Sequence, residues 1–292
     1  MTLATHGRYP FVPITRRRLP HWPDGRRLAV CVTLNLEVYA FGEGLKEDIV
    51  PGLGTPDVLN CSWNEYGNRV GAWRLLDLFR ETSIVPTLSI NSRICTIHRE
   101  IPDAFRDIGA AIVCHGRTNS ESQADLTEAD EWALIQDARD ELAQWSGTPP
   151  LGWLGPWIAE TSRSPDLLKE AGFRYVLDWC MDDQPVWMTT RHGPLLSIPY
   201  SQELNDSNAI AGRRHSASEF ADMIVDQYDE MRRQAEDQPL VMSVALHAHV
   251  AGQPFRIKAL RQALAHIGQA CPDTWITGSD AVALHVPPPS PS

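Results

Sequence analysis

Along this chain, short apolar runs alternate with amphipathic stretches, and the alternation persists from residue 27 to residue 277. The run RLAVCVTL (27–34) predicts a buried strand. Residues 67–81 follow as a helix, with Val70, Trp73, Leu76 and Phe79 at helical spacing. Further strands are predicted at 84–90, 110–116, 151–154, 173–179, 195–200, 240–247 and 274–277, with Pro86 marking a strand end or irregularity. Helices are predicted at 126–145, 164–172, 217–236 and 255–270. Thr127 with Asp130 opens the first of these four, and Ser164, Pro165 and Gly172 bound the second. Strands that alternate with helices form a parallel sheet, and seven or eight such units in this length predict a closed (β/α) barrel. An open doubly wound sheet is the alternative, but no GxGxxG or P-loop follows any strand.

The barrel assigns chemistry to one rim, just past the C-terminal ends of its strands. Glu37 follows the first strand, Asn91 the second and His115 the third. Gly155-Pro156-Trp157, Asp178-Trp179 and Tyr200 follow the next three, and His247 and His249 the seventh. Two His and a Glu at strand ends outweigh the structural role expected of any single His. Glu37 lies beside Leu36 and Val38, where burial would raise its pKa and suit it to act as a base. Arg117 shares a loop with His115, as a carbonyl-polarising group or as a loop ion pair. Glu65, Tyr66 and Arg69 are rim candidates, with a Glu65–Arg69 pair as the structural alternative. Trp157 and Trp179 can wall a planar ring; Asp178 can orient a His or Arg, and Asp182 and Asp183 brace a loop. If the strand continued through LHAH, His247 and His249 would face one side.

Composition narrows the partners. The chain has 292 residues, 43% of them hydrophobic, enough for one large core. Its net charge of −11 repels phosphate backbones, so the expected partner is a small neutral or cationic molecule rather than nucleic acid. The N-terminus shows no signal-peptide pattern and no run reaches membrane-spanning length, which predicts a cytoplasmic protein. The six cysteines are scattered singly and read as reduced thiols. TRRR reads as part of a solvated arm, and the apolar YPFVPI as a segment that docks on a neighbouring copy in a homo-oligomer.

Six stretches carry a resemblance: TLNLEVYAFGEG, WNEYGNRVGAWRLLDLF, CHGRTNSE, GWLGPWIAETSRSPDLLKEAGFRYVLDWCMDDQPVW, SIPYSQELND and VALHAHVAGQPFR. In this order and spacing they resemble the polysaccharide deacetylase (NodB-homology) superfamily, and more closely its allantoinase-like and cyclic-imidase-like branch. The resemblance spans residues 26 to about 285 and implies a single-domain distorted (β/α)7-8 barrel. We place an N-terminal arm at 1–25, the barrel at 26–286 and a disordered Pro-rich tail at 287–292.

In the metal-dependent members, an acidic pair ends the first strand and H-x-x-x-H ends the third. Carried over, the base falls on Asn35, the acidic ligand on Glu37, the two His on His115 and Asn119, and the late catalytic His on His247. Two of those positions depart from the metal pattern, and the resemblance implies a branch that works without metal. Zinc prefers His, Cys and carboxylate, and an amide is a poor substitute. An amide does pair a donor with an acceptor, which complements the C=O and N–H of a cyclic imide or ureide.

The reading is therefore a hydrolase of non-peptide carbon–nitrogen bonds acting on a small cyclic amide, with no cofactor required. Glu37, His115 and His247 are expected to be catalytic. Asn35, Arg117, Asn119, Trp157, Trp179, Tyr200 and His249 are expected to bind substrate. The alternatives are a zinc-dependent N-deacetylase, its metal held by Glu37, His115 and Asn119, and a non-catalytic ligand-binding barrel.

Overall fold

The computed structural model describes residues 3–269 and 271–289. Among the described residues, nine strands run in chain order as β1 (Leu28–Leu36), β2 (Thr87–Ile90), β3 (Ala111–Cys114), β4 (Gly152–Trp153), β5 (Tyr175–Val176), β6 (Val186–Thr190), β7 (Gly193–Ser197), β8 (Leu240–His247) and β9 (Thr274–Ile276). The principal helices are α1 (Val58–Tyr66), α2 (Ala72–Thr82), α3 (Ile94–Ile97), α4 (Glu100–Arg106), α5 (Glu128–Ser146), α6 (Ser164–Glu170), α7 (Ala217–Gln234), α8 (Ala248–Ala251), α9 (Pro254–Ile267) and α10 (Ser279–His285).

The strands pair in the order β6-β7-β5-β4-β3-β2-β1-β8, all parallel except the β6–β7 hairpin. Along one edge of β1, β9 pairs with Leu28–Val30 and β2 with Thr33–Leu36. The sheet curls into a barrel but does not close strand to strand. The far edge of β8 is met by irregular chain instead: Val241 N–H donates to Asp183 O at 2.9 Å and Ala245 N–H to Leu204 O at 2.8 Å. This is the distorted barrel that the resemblance implies.

β1 is buried along its whole length, as a central parallel strand covered on both faces must be. Its alternation separates two cores. Leu28, Val30, Val32, Leu34 and Leu36 pack outward against the helices. Ala29 and Cys31 face the barrel interior with Val241 and Ala245 of β8, Tyr175, Leu196, and Trp22, whose indole donates to Leu240 O. The inward parity continues through Asn35 to Glu37, and on β8 through Ala245 to His247. The register sets Asn35 beside His247.

Helix boundaries follow their chemistry. Thr127 caps α5 through Asp130 N–H, and Gly147 ends it at φ 85°. Ser216 and Glu219 form a capping box at α7. The stripe expected over 67–81 is corrected. Residues Gly67–Gly71 form a π-turn, which rotates the buried face onto Ala72, Leu75, Leu76, Leu78 and Phe79 and leaves Trp73 exposed. Glycine is required in this turn because a Cβ on Gly71 would lie 2.0 Å from Ala248 O, and one on Gly67 would lie 2.8 Å from His249 N.

The arm docks on its own barrel. Arg8 makes a two-pronged pair with Asp166, and Arg17 pairs with Asp182, so this part of the arm is not merely solvated. Phe11 remains exposed. In the proposed tail, Pro287 O accepts from the Trp187 indole, while 290–292 lie outside the described residues. Among the described residues, no helix is long and apolar enough to cross a membrane.

Candidate active site

Ladder register builds the site. The last paired residues are Leu36, Ile90, Cys114, Trp153, Val176 and Ser197. The next residue in each strand therefore stands on one rim, and Glu37 and His115 do so beside His247, the last residue of β8. The expected convergence is present. Glu37 Oε1 lies 3.5 Å from His115 Nε2 and 3.6 Å from His247 Nε2. All three are buried and line a cavity of about 120 Å³ with Asn35, Tyr39, Glu47, Asn119, Trp157 and Tyr200 among its walls. The distances exceed direct hydrogen bonds, and they leave space for a reacting oxygen among the three.

Each imidazole is fixed from behind. His115 Nδ1 lies 2.6 Å from Leu154 O, which assigns it the proton and leaves the Nε2 lone pair toward Glu37 in the neutral ring. His247 Nδ1 lies 2.7 Å from Asp206 Oδ1, and the same carboxylate takes the His247 backbone N–H with both oxygens. Burial opposes charge on His247, but Glu37 and Asp206 outweigh it and raise its pKa to about 10. Burial alone would raise Glu37; His247, with His249 and His115 beside it, reverses this and holds the carboxyl well below the ordinary range. The expected raised pKa of Glu37 is thus corrected: two nearby imidazoles outweigh desolvation. At neutral pH the site holds a carboxylate beside an imidazolium.

The substrate-binding set divides. Asn35 donates from Nδ2 to Tyr200 Oη and to Leu246 O, which leaves its buried Oδ1 without a partner. Asn119 is buried in the wall, but its amide is engaged: Oδ1 accepts from Asn91, and Nδ2 reaches Tyr39 Oη at 3.4 Å. The free acceptor for a ring is therefore on Asn35 and not on Asn119. Trp157 stands at the mouth in a left-handed conformation, its indole tied to Asn119 O.

Three expectations fail. Arg117 is absent from the cavity wall; the chain leaves the sheet at Cys114, turns at Gly116 (φ 63°), and sends the guanidinium outward to Glu121 and Asp137. Trp179 donates to Glu160 and packs against Tyr9 of the arm. His249 does not face the cavity with His247, because β8 ends there and α8 begins; its Nε2 meets Glu47 Oε2 at 2.6 Å.

Asp206, Glu47 and Tyr39 were not singled out in the sequence. Tyr39 donates to Glu37 Oε2 at 2.5 Å. The only sequence signal for Asp206 was its place in the stretch SIPYSQELND.

Behind the wall lies a second carboxyl pair. Asp178 Oδ1 accepts Gly155 N–H and Glu160 Oε2 accepts the Trp179 indole, while the other oxygen of each is buried without a partner. Burial raises Asp178 to about 7; burial and the Asp178 charge raise Glu160 well above its usual range. A raised acid favours the protonated fold, so this contribution to stability is lost as pH climbs from about 4 to about 7. Asp178→Asn is therefore expected to gain on the wild type by a few degrees in Tm across that window, read by thermal melts at both ends. A difference in Tm independent of pH would contradict the assignment.

No family model matches the sequence. A Schizosaccharomyces pombe protein described as a polysaccharide deacetylase is 23% identical over 293 residues, covering 90% of this chain and 91% of that one. A Pseudomonas aeruginosa structure described as a probable polysaccharide deacetylase superposes with a TM-score of 0.82 at 27% identity, over 91% of this chain and 94% of its own. The structure of Puue allantoinase does so with a TM-score of 0.82 at 27% identity, over 95% and 97%. The chain belongs to the polysaccharide deacetylase superfamily. This chain carries a carboxylate at Glu37, imidazoles at His115 and His247, and amides at Asn35 and Asn119.

Proposed function

We propose that the protein opens a small cyclic amide, imide or ureide at a ring carbon–nitrogen bond without a metal in the reacting centre. The observation that carries this reading is one small cavity holding the His115–Glu37–His247 array together with the unpartnered Asn35 Oδ1. A ring N–H satisfies that acceptor, and the adjacent ring carbonyl faces the His247 imidazolium. His115 Nε2 takes a proton from water, and Glu37 stabilises the cation that forms. The water oxygen adds to the carbonyl carbon, and the carbon–nitrogen electron pair leaves with nitrogen, which takes its proton from His247. The product is a linear carboxylate bearing the freed amide or ureido nitrogen.

The usual metal loop does not fit zinc here. The Asn119 oxygen is occupied by Asn91, and an amide is a weak zinc ligand, so Glu37 and His115 supply only two good donors. One observation favours a second reading as a metal-dependent N-deacetylase. Ligand atoms of Glu37, Glu47 and His249 lie within 4.8 Å of one another, and two carboxylates with an imidazole suit zinc. A metal there would supply a Lewis acid for a carbonyl.

Asn35→Leu tests the ring contact. It keeps the approximate size and removes the buried Oδ1 that a ring N–H would meet. We expect kcat/KM for a cyclic imide to fall about tenfold to a hundredfold, mostly through KM. Unchanged KM would remove Asn35 from ring recognition.

A further inference from the structure

A second cavity, of about 330 Å³, lies on the other side of Glu37 and Tyr39, which line both cavities. Its walls include Asn64, Asn68 and Arg69, with Phe41 and Ile97 exposed at the rim. Asn64 and Asn68 sit four residues apart, on α1 and the π-turn. Their amide nitrogens are committed: Asn64 donates to Glu47 O and Asn68 to Glu37 O. That fixes both amides, and each Oδ1 is buried without a partner. Arg69 is exposed, and among the described residues its guanidinium makes no ion pair; the pair with Glu65 that the spacing offers is not formed. The cavity thus combines two acceptors that lack donors, a cation that lacks an anion, and an apolar rim.

We propose that this cavity is the subsite that receives the ring-opened product, a linear carboxylate carrying an amide or ureido NH2. The inference rests on the ring-opening reading. Hydrolysis creates a carboxylate beside Glu37 and Glu47, where like charges repel it. Across the Glu37–Tyr39 partition, Arg69 offers a two-pronged partner for that carboxylate. The freed nitrogen carries the N–H donors that the Asn64 and Asn68 oxygens lack. Phe41 and Ile97 cover the carbons between the two ends.

The test is equilibrium binding to the whole protein by calorimetry, with succinamate as the probe and succinamide and succinate as controls. Wild type is expected to bind succinamate about tenfold more tightly than either control, because only succinamate carries both the anion and the NH2. Arg69→Gln is expected to remove the advantage over succinamide. Binding of all three probes at equal strength, or succinamate affinity unchanged by Arg69→Gln, would overturn the proposal. The measurement needs no turnover. Arg69-dependent binding of succinamate by a protein that opens no cyclic imide would uphold the subsite chemistry and sink the reaction reading alone.

Discussion

Glu37→Gln is expected to lower kcat/KM for ring opening by roughly a thousandfold or more while the protein stays folded. Glu37 is the carboxylate that faces both imidazoles, at 3.5 and 3.6 Å. Gln keeps the shape and can still accept from Tyr39, but it removes the charge that makes His247 a cation and that would stabilise a protonated His115. The loss should fall on kcat more than on KM, because the charge matters most when the proton has moved. Steady-state kinetics beside a thermal melt check this. Activity within tenfold of wild type, with the fold intact, would show that Glu37 is not the centre of the site.

Asp206→Asn is the second large effect. Asp206 is fully buried and holds His247 through both the ring and the backbone N–H. A raised folded pKa means that the charged imidazole persists as pH rises and is lost only near 10. The alkaline limb of kcat/KM in wild type is thus expected near pH 10. In Asp206→Asn it should move toward neutrality, because one of the anions that favour the cation is gone while desolvation is unchanged. Near pH 8 the loss should be about a hundredfold or more, since a misassigned tautomer also misplaces the proton. The pH–rate profile separates this from simple loss of structure. A lower rate with an unmoved alkaline limb would mean that Asp206 only supports the strand.

The convergence of Glu37, His115 and His247 was legible in the sequence because parallel strands end on one rim and side chains alternate along them. Asn35 was named only through the resemblance, and the parity of β1 puts it on the same face. The alternation stops where the strand stops, which is why Arg117 and His249 were misplaced: Gly116 turns one outward, and α8 begins one residue before the other. Asp206 and Glu47 lie in irregular chain, 41 residues before His247 and 202 before His249, and no period links such positions. The β6 strand escaped because an antiparallel hairpin interrupts the strand–helix rhythm. The π-turn at Gly67–Gly71 rotated a helix face by one residue. Trp179 sits at a strand end but belongs to the arm's docking surface, a distinction that only packing can draw.

Metal-independent ring opening is tested by turnover of a panel that pairs succinimide, hydantoin and dihydrouracil with an N-acetylated sugar, on protein whose zinc content has been measured before and after chelation. At least one ring should open at a rate indifferent to metal removal, with no release of acetate. Ring opening abolished by chelation and restored by zinc, or acetate release in its place, would contradict this and move the chemistry to Glu37, Glu47 and His249.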